Sequence, residues 1–422
     1  MRSFRNLALL GASLLALATA APVTQEKRAN IVPGKYIVTL KSGLSTRDLE
    51  SHLGWVDDVH KRSLGKRDGI SNGIEKKFNI DSDFSGYAGT FDEETIAQIK
   101  EDPNASTSFT PWHGGSVIWT LWYTEDGTSE NEAYLAKKAL TTQSSATWGL
   151  GAISHKSGSG STYMYESSAG SGTYGYIVDT GVLITHNEFG GRASKGYNAV
   201  NAAFEDTVGH GTHVAGTVAG STYGVSKSAN IIAVKVFDGD SGYTSDILDG
   251  FSWAVNDIVS NGRTAKAAIN MSLGGSYSSA VNSAVETAYQ KGVVSAVAAG
   301  NSAANAANYS PASAANALTV GAVDSSLSEA YYSNYGSVLD LYAPGSSVKS
   351  AWIGSNSATN TISGTSMASP HVCGVVLYLQ SVNSAGSASS VSSMVKSVAN
   401  TGLLSGLGSG SPNRLAYNGN GN

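Results

Sequence analysis

The sequence contains a single cysteine, Cys373, and no excess of basic residues. One cysteine excludes a disulfide framework and a cysteine-based zinc site within one chain. Lysine and arginine number 27 against 32 aspartate and glutamate residues, a formal net charge of −5. Because nucleic-acid binding usually needs a basic face, no nucleic-acid partner is expected. After residue 20 no apolar run is long enough to span a bilayer, so no membrane partner is expected.

The N-terminus has the pattern of a secretory signal peptide. Arg2 and Arg5 precede an apolar stretch at residues 7–18, and an A-x-A sequence ends at Ala20. This combination is typical of a signal that is cleaved, here after Ala20. A membrane anchor is the alternative, but a spanning helix needs about 20 apolar residues. We therefore expect residues 1–20 to be removed and the protein to be secreted into the extracellular space.

The rest of the chain divides in two near the dibasic pair Lys137 and Lys138. Residues 21–138 are rich in charged side chains, whereas residues 139–422 have few of them and are rich in glycine, alanine and serine. Because the first part has both strand-like and helical stretches, we expect a small α+β domain there. The strand candidates lie at residues 35–40 and 86–91, and the helix candidate at 93–100.

Apolar segments and amphipathic helices alternate in the second part. Continuous apolar runs are typical of strands buried on both faces of a parallel sheet. Between two of them, Ile247, Leu248 and Phe251 begin a helical repeat, and we expect Ser245 to cap this helix. The alternation predicts an α/β fold with a doubly wound, mostly parallel sheet and helices on both faces. Such a sheet carries its site at the carboxyl ends of the strands. The strand candidates are residues 174–179, 229–237, 267–273, 292–300 and 317–323.

Three short glycine-flanked segments carry an Asp, a His and a Ser at or just after such strand ends. They are residues 179–181, 209–216 and 364–370. Nucleophilic acyl transfer needs a hydroxyl, an imidazole to take its proton and a carboxylate to orient that imidazole. Taken singly, the Asp is typical of a turn, the His of a structural role and the Ser of a helix cap. The three segments together indicate nucleophilic catalysis.

The combination of segments resembles the signatures of the subtilisin-like serine peptidases, in that family's chain order Asp, His, Ser. Residues 139–422 are similar to the proteinase K branch, especially to secreted fungal alkaline proteases. Residues near 31–126 are similar to the inhibitory propeptide of such enzymes. The resemblance implies a subtilisin-like fold and a secreted serine endopeptidase that is made as a zymogen. Its partners would be protein or peptide substrates and its own propeptide, acting as intramolecular inhibitor and folding aid, and a monomer is expected.

The resemblance also implies a role for each catalytic residue. Ser366 would be the nucleophile, His210 the general base and then acid, and Asp179 the group that orients His210. Asn301 would donate its side-chain amide to the oxyanion, together with the backbone N–H of Ser366. Without the resemblance, Asn301 is typical of a turn residue after Gly300.

In this family the substrate lies between two segments that pair with an extended peptide. Main-chain pairing of this kind gives affinity with little demand on sequence. Small residues at the first specificity pocket imply broad cleavage after apolar or aromatic residues. Without the resemblance, these segments are a strand end and a turn. The implied substrate-binding residues are Gly242, Tyr243, Ser272, Leu273, Gly274, Ala298, Ala299 and Gly300.

The resemblance further implies calcium as a structural ion, and no cofactor for catalysis. The implied ligands are the carboxylate of Asp340 and the carbonyl oxygens of Ala315 and Ala317, which are hard oxygen donors of the kind that calcium prefers. Better-known members of the family carry proline at the position of Ala315, so this carbonyl is placed less rigidly. A solvated Asp340 is the alternative.

Sequons for N-glycosylation occur at Asn104, Asn270 and Asn308. Asn270 lies in a predicted central strand, and Asn308 is followed shortly by Pro311. Neither of these two is therefore expected to be a strong acceptor.

Residues 105–122 differ from the rest of the propeptide because they carry no charge and include three of the seven tryptophans. Joining Asn104 directly to Tyr123 would restore the short connection expected of the family. We interpret residues 105–122 as an insertion, or as intron read-through in the gene prediction. The inhibitory contact of the propeptide is expected to include residues shortly before Ala139, among them Tyr134 and Leu135.

Two other functions remain open from the sequence. One is a catalytically inactive subtilase that acts as a binding module, which an intact set of catalytic residues disfavours. The other is a secreted esterase. The G-x-S-x-G sequence of many esterases is absent around Ser366, because Ala368 replaces its final glycine.

Overall fold

The computed structural model describes residues 30–64, 72–116, 140–200, 203–383 and 386–420. The predicted signal peptide and the predicted inhibitory residues Tyr134 and Leu135 lie outside these ranges. Within them, no helix is both long enough and apolar enough to cross a membrane.

The N-terminal part forms a small antiparallel sheet with two helices. Its elements are β1 (Asn30–Leu40), α1 (Thr46–Leu64), β2 (Gly73–Ile80), β3 (Phe84–Thr90), α2 (Glu93–Glu101) and β4 (Ala105–Ser116). The strands lie in the order β4-β1-β3-β2. Val38 and Tyr87 on one face of this sheet pack with Val56 of α1 and Ile96 of α2. A small α+β domain is thus what residues 30–116 form, as the sequence predicts.

The larger part is built around a nine-stranded sheet. The first elements of this part are β5 (Leu140–Gln143), α3 (Trp148–Ala152), β6 (Tyr163–Glu166), β7 (Tyr174–Asp179), β8 (Ala193–Asn198) and α4 (His210–Ala219). The next are β9 (Asn230–Lys235), β10 (Ser241–Tyr243), α5 (Thr244–Ser260), β11 (Ala267–Met271), β12 (Gly275–Ser276), α6 (Ser279–Gln290) and β13 (Val294–Ala298). The last are β14 (Tyr309–Ser310), β15 (Leu318–Val323), β16 (Leu341–Pro344), β17 (Val348–Ala351), β18 (Thr359–Ile362), α7 (Thr365–Val382), α8 (Ala388–Val398), β19 (Asn400–Thr401) and β20 (Arg414–Leu415).

The sheet order confirms the predicted doubly wound fold. The strands run β19-β20-β16-β15-β13-β11-β7-β9-β8, and every neighbouring pair is parallel except β19 with β20. Alternate side chains of β7 enter two separate cores, because successive residues of a strand point to opposite faces. Tyr176 packs with Phe251 of α5, whereas Ile177 packs with Val214 of α4 and Val376 of α7. Helices therefore cover both faces.

The small domain packs its second face against α5 and α6. Apolar side chains of that face, among them Ile37, Phe78 and Phe84, belong to the same buried cluster as Phe251 of α5 and Val281 of α6. Strand β10 of the larger domain also pairs with β4, so that it becomes a fifth strand of the small sheet. The two domains thus share an apolar core and a continuous sheet.

The prediction that Ser245 caps α5 is wrong. The helix begins at Thr244, and Tyr243 before it is extended. Tyr243 pairs with Gly114 of β4, which holds it in the extended conformation and leaves Ser245 inside the first helical turn. The buried hydroxyl of Ser245 has no hydrogen-bond partner in the described part of the chain.

Candidate active site

The three segments singled out in the sequence lie at the carboxyl-terminal side of the large sheet. Asp179 is the last residue of β7, His210 the first residue of α4, and Ser366 the second residue of α7. Helices α4 and α7 pack against each other. Gly211 allows the close approach of α4 to the end of β7, because a Cβ at this position would lie 2.1 Å from the Gly181 carbonyl oxygen.

Asp179 and His210 form a direct hydrogen bond. His210 Nδ1 lies 2.7 Å from Asp179 Oδ1, and Asp179 is fully buried. The backbone N–H of Thr180 also donates to Asp179 Oδ1, at 2.8 Å. A carboxylate only accepts hydrogen bonds, so the Nδ1 of a neutral His210 carries the proton. Its Nε2 is then left as an acceptor that can take a proton.

The pKa of His210 reflects opposing effects. Burial lowers this pKa, but the surrounding carboxylates raise it by more. Those carboxylates, in order of effect, are Asp179, Asp206 and Asp240. The net result is a pKa of His210 above the ordinary value of histidine. His210 is neutral, and therefore able to act as a base, only when the pH exceeds this raised pKa.

A second histidine in the same segment has a structural environment. His213 is fully buried, and its Nε2 lies 3.0 Å from the carbonyl oxygen of Val348. Burial lowers the pKa of His213 to about 3. It therefore stays neutral and fixed at neutral pH, without access to a substrate.

The side chain of Ser366 is held by the segment after β11. Its Oγ donates to the carbonyl oxygen of Ser272 at 3.2 Å, and Ser272 Oγ donates to the carbonyl oxygen of Ser366 at 2.7 Å. A serine hydroxyl has one proton to donate. The hydroxyl must therefore turn away from Ser272 before it can donate to His210.

Asn301 is oriented by the residue before the serine. The backbone N–H and the hydroxyl of Thr365 both donate to Asn301 Oδ1, at 2.8 and 3.0 Å. The Nδ2 amide group is then free to donate elsewhere, and it lies 3.3 Å from where a Cβ on Gly364 would be. The Nδ2 group of Asn301 therefore lies close to Gly364, two residues before Ser366.

Asn334, which was not among the residues predicted from the sequence, supports the turn that contains Asn301. Asn334 is fully buried, and its Oδ1 accepts hydrogen bonds from the backbone N–H groups of Ser302 and Ala304. Its Nδ2 donates to the carbonyl oxygen of Ala299 at 3.1 Å. No pattern near Asn334 in the sequence indicates these contacts, because all of them join segments far apart in the chain.

The predicted substrate-binding residues fall on two separate segments and one strand end. Gly242 and Tyr243 lie on β10, while Ser272, Leu273 and Gly274 follow β11. Ala298 ends β13, and Ala299 and Gly300 come directly after it. Leu273, Ala298 and Ala299 are almost completely buried, so these residues can offer a substrate mainly their backbone groups.

Comparison with known proteins gives two family matches. The Subtilase family matches residues 170–416, and the Peptidase inhibitor I9 family matches residues 35–107.

The chain belongs to the subtilase family.

Similar proteins span its whole length. The "Alkaline proteinase" of Hapsidospora chrysogena is 57% identical over 422 residues and is covered completely by the alignment, as is this chain. "Alkaline protease 1" of Emericella nidulans is 53% identical over 424 residues, with 99% of each chain covered. A solved cold-adapted subtilisin-like serine proteinase is 43% identical, with a TM-score of 0.60, and the match covers 65% of this chain and 98% of that one. The predicted family is thus confirmed, and this subtilase is a serine endopeptidase made as a zymogen with an I9 propeptide.

The surroundings of Asp340 bear on the predicted calcium ligands. Its Oδ1 forms an ion pair with Lys396 Nζ at 3.1 Å, and its Oδ2 accepts the backbone N–H of Thr319 at 2.9 Å. Calcium takes about six to eight oxygen ligands. In the described ranges, no group of three or more His, Cys, Asp or Glu side chains could hold a metal ion. Asp340 is thus paired with Lys396 in the structure, and a calcium ion held by Asp340, Ala315 and Ala317 stays a prediction.

The sequon at Asn270 is buried, in agreement with its predicted place in a central strand. Asn270 is fully buried in β11, where its Nδ2 donates to Ser272 Oγ and its Oδ1 accepts from Ser369 Oγ. A glycan cannot be accommodated there in the folded protein. Asn104 is half-buried and Asn308 is exposed, and both stay predictions.

The proposed insertion is partly contained in the described residues. Residues 105–116 form β4, which pairs with both β1 and β10, while residues 117–122 lie outside the described ranges. This uncharged stretch thus takes the position of a sheet strand. Its origin as an insertion stays a prediction.

Proposed function

We propose that this subtilase hydrolyses peptide bonds through an acyl-enzyme on Ser366. The observation that carries the proposal is the 2.7 Å hydrogen bond between His210 Nδ1 and Asp179 Oδ1. This bond selects the tautomer whose Nε2 can accept the proton of Ser366. Ser366 Oγ attacks the scissile carbonyl carbon as its proton passes to His210. His210 then gives this proton to the leaving amine. In the second step water loses a proton to His210 and attacks the acyl carbonyl, and the acid is released as Ser366 takes the proton back.

The oxyanion of each tetrahedral intermediate is proposed to lie between two N–H donors. One is Nδ2 of Asn301, whose Oδ1 is fixed by Thr365. The other is the backbone N–H of Ser366 near the start of α7. Donors that are already oriented stabilise the developing charge without reorganisation during the reaction.

Specificity is proposed to be broad, for apolar or aromatic residues before the cleaved bond. An extended peptide would pair with the backbone of Gly242 and Tyr243 on one side and of Ser272 and Gly274 on the other. The small residues at 298–300 leave space between these segments. Profiling cleavage of a peptide library tests this, and a strict requirement for one charged residue would contradict it.

The propeptide is proposed to block the same cleft before activation. Backbone pairing of Gly114, Gly115 and Ser116 with β10 occupies one of the two segments that a substrate would use. Charged contacts add to this, since Lys76 of β2 lies 2.5 Å from Asp246 and 3.8 Å from Asp249 of α5. If processing is autocatalytic, Ser366→Ala leaves the precursor uncut near residue 138. Normal processing of that variant would instead show that another protease cuts at this position.

Secretion is also proposed, on the basis of the N-terminal residues 1–20. Expression in a secreting host should give a protein whose N-terminus lacks this segment. Intact residues 1–20 on the exported protein would contradict the proposal. The mature enzyme is expected to be a monomer, which light scattering can measure directly.

A covalent probe tests the catalytic proposal. A sulfonyl fluoride should modify this subtilase once, on Ser366, and peptidase activity should fall in proportion to labelling. The matched control is Ser363→Ala, an exposed serine in the preceding loop, which should label and cleave normally. Paired peptide and ester substrates with the same acyl group separate the alternatives. An esterase would cleave only the ester, and an inactive binding module would cleave neither.

A further inference from the structure

Two buried charges next to the catalytic residues have no part in the proposed chemistry. Asp206, in the loop before α4, is 7% exposed, and Lys235, at the end of β9, is fully buried. Burying a charge is unfavourable unless it is paired or well hydrogen-bonded. Asp206 and Lys235 must therefore have hydrogen-bond partners that offset this cost.

The carboxylate of Asp206 is saturated with hydrogen bonds from two catalytic segments. Its Oδ1 accepts from Thr180 Oγ1 at 2.8 Å, from Val208 N at 3.1 Å and from Gly209 N at 2.8 Å. Its Oδ2 accepts from the N–H and the hydroxyl of Thr212, at 2.9 and 2.6 Å. One side chain thus ties the segment after β7 to both sides of His210. Every one of these partners is a donor, which only a carboxylate can match at both oxygens.

Thr180 connects the two buried charges to the catalytic pair. Its carbonyl oxygen accepts from Lys235 Nζ at 2.8 Å, and its hydroxyl donates to Asp206. The same hydroxyl accepts the backbone N–H of Gly211 at 2.9 Å, and the N–H of Thr180 donates to Asp179 Oδ1. Thr180 is therefore held at its carbonyl, its hydroxyl and its N–H at once. A valine of the same shape would lose the hydroxyl contacts to both Asp206 and Gly211.

We propose that Asp206 is a positioning residue of the catalytic triad, which acts through Thr180 and Thr212, with Lys235 holding the opposite side of Thr180. Together they fix the end of β7 relative to the start of α4, and so keep Asp179 Oδ1 within hydrogen-bond distance of His210 Nδ1. This inference rests on the proposed roles of Asp179, His210 and Ser366.

The first test compares Asp206→Asn with Glu205→Gln in the full-length precursor and the mature enzyme. In Asp206→Asn one carboxylate oxygen becomes an NH2 group, which faces N–H and O–H donors of the surrounding segments. Two donors cannot form a hydrogen bond with each other, so these segments must move apart. We expect kcat to fall by about 10²-fold, as for small misplacements of catalytic groups, with KM within about twofold of the wild-type value. Glu205 is an exposed neighbour that pairs with Lys195, so Glu205→Gln should leave kcat unchanged.

The acid limb of the pH profile gives a readout that a general loss of stability would not move. The charged groups facing His210 are Asp179, Asp206 and Asp240, while its neighbour His213 is neutral. Removing the charge of Asp206 lowers the pKa of His210, so the acid limb of kcat/KM should shift to lower pH. An unshifted limb together with an unchanged kcat would overturn the proposal.

A second pair of variants covers the case in which Asp206→Asn does not fold or mature. Thr180→Val should lower kcat per titrated active site, and its melting temperature should also fall because two buried hydrogen bonds are lost. Thr180→Ser keeps the hydroxyl and should restore kcat. Equal kcat for the two Thr180 variants would overturn the inference. If Ser366→Ala retained activity, the proposed function itself would fail. An inactive Ser366→Ala with a fully active Asp206→Asn would remove only the positioning role.

Discussion

Replacing Asn301 by alanine should lower kcat far more than it changes KM. Its Oδ1 accepts two hydrogen bonds from Thr365, and its Nδ2 is the donor that we propose for the oxyanion. Loss of one oxyanion donor costs about 2.7–4 kcal/mol of transition-state stabilisation, or a factor of about 10² to 10³ in kcat. Substrate in its ground state does not carry the oxyanion, so KM should hold.

The same substitution should also reduce stability. The N–H and hydroxyl of Thr365 lose their acceptor, and each such hydrogen bond contributes about 1 kcal/mol. The free energy of unfolding should therefore fall by about 2 kcal/mol, which denaturant titration can measure in the Ser366→Ala background to prevent self-digestion. Kinetics should be normalised by active-site titration, so that unfolded enzyme does not count as slow enzyme.

Asn308→Ala is the matched control for Asn301→Ala. Asn308 is exposed further along the same loop, and its replacement should leave both kcat and KM unchanged. If Asn301→Ala raised KM while kcat held, Asn301 would be a substrate-binding residue and the oxyanion assignment would be wrong. An unchanged kcat with only a lower stability would reduce Asn301 to a structural role.

Three further predictions concern the propeptide, the acid limit and the ion at Asp340. Lys76→Ala should weaken inhibition by the isolated propeptide about 10- to 100-fold, because a charged hydrogen bond contributes about 1.5–3 kcal/mol. Replacing the exposed Lys77 by alanine should leave the inhibition constant unchanged. Equal inhibition constants for the two variants would show that Lys76 does not contribute to binding of the propeptide. Activity should be lost as the pH falls through the raised pKa of His210, so the midpoint of the acid limb should lie above pH 6.5. A midpoint at or below this value would contradict the rise in the pKa of His210 that Asp179 causes. The difference in melting temperature between calcium and chelator should be larger in Lys396→Met, because calcium then no longer competes with the ammonium group for Asp340. The same difference in both proteins would show that Lys396 does not compete with calcium.

The fold and the contact between Asp179 and His210 could be predicted because their signals are local. Each parallel strand is a continuous apolar run, and Asp179 and His210 stand at a strand end and a helix start within short glycine-flanked segments. Once the alternation of strands and helices is established, these ends must meet at one edge of the sheet. The resemblance of the three segments to a known family then added their roles.

What could not be predicted depends on contacts between distant parts of the chain. Asp206 follows Thr180 by 26 positions, and nothing in either segment indicates that their side chains bond. Lys396 reaches Asp340 from α8, 56 positions away, so no local pattern indicates this ion pair. The start of α5 was misplaced for the same reason, since Tyr243 is held extended by β4 of the other domain.

Trapping the acyl-enzyme is a direct test of covalent catalysis by Ser366. The mature enzyme would be mixed with an activated ester of a short peptide, quenched in acid within milliseconds, digested and analysed by mass spectrometry. We predict the acyl group on Ser366. Its accumulation should disappear in Ser366→Ala and be strongly slowed in His210→Ala. Turnover of the substrate with no covalent adduct, or with the acyl group on another residue, would contradict it.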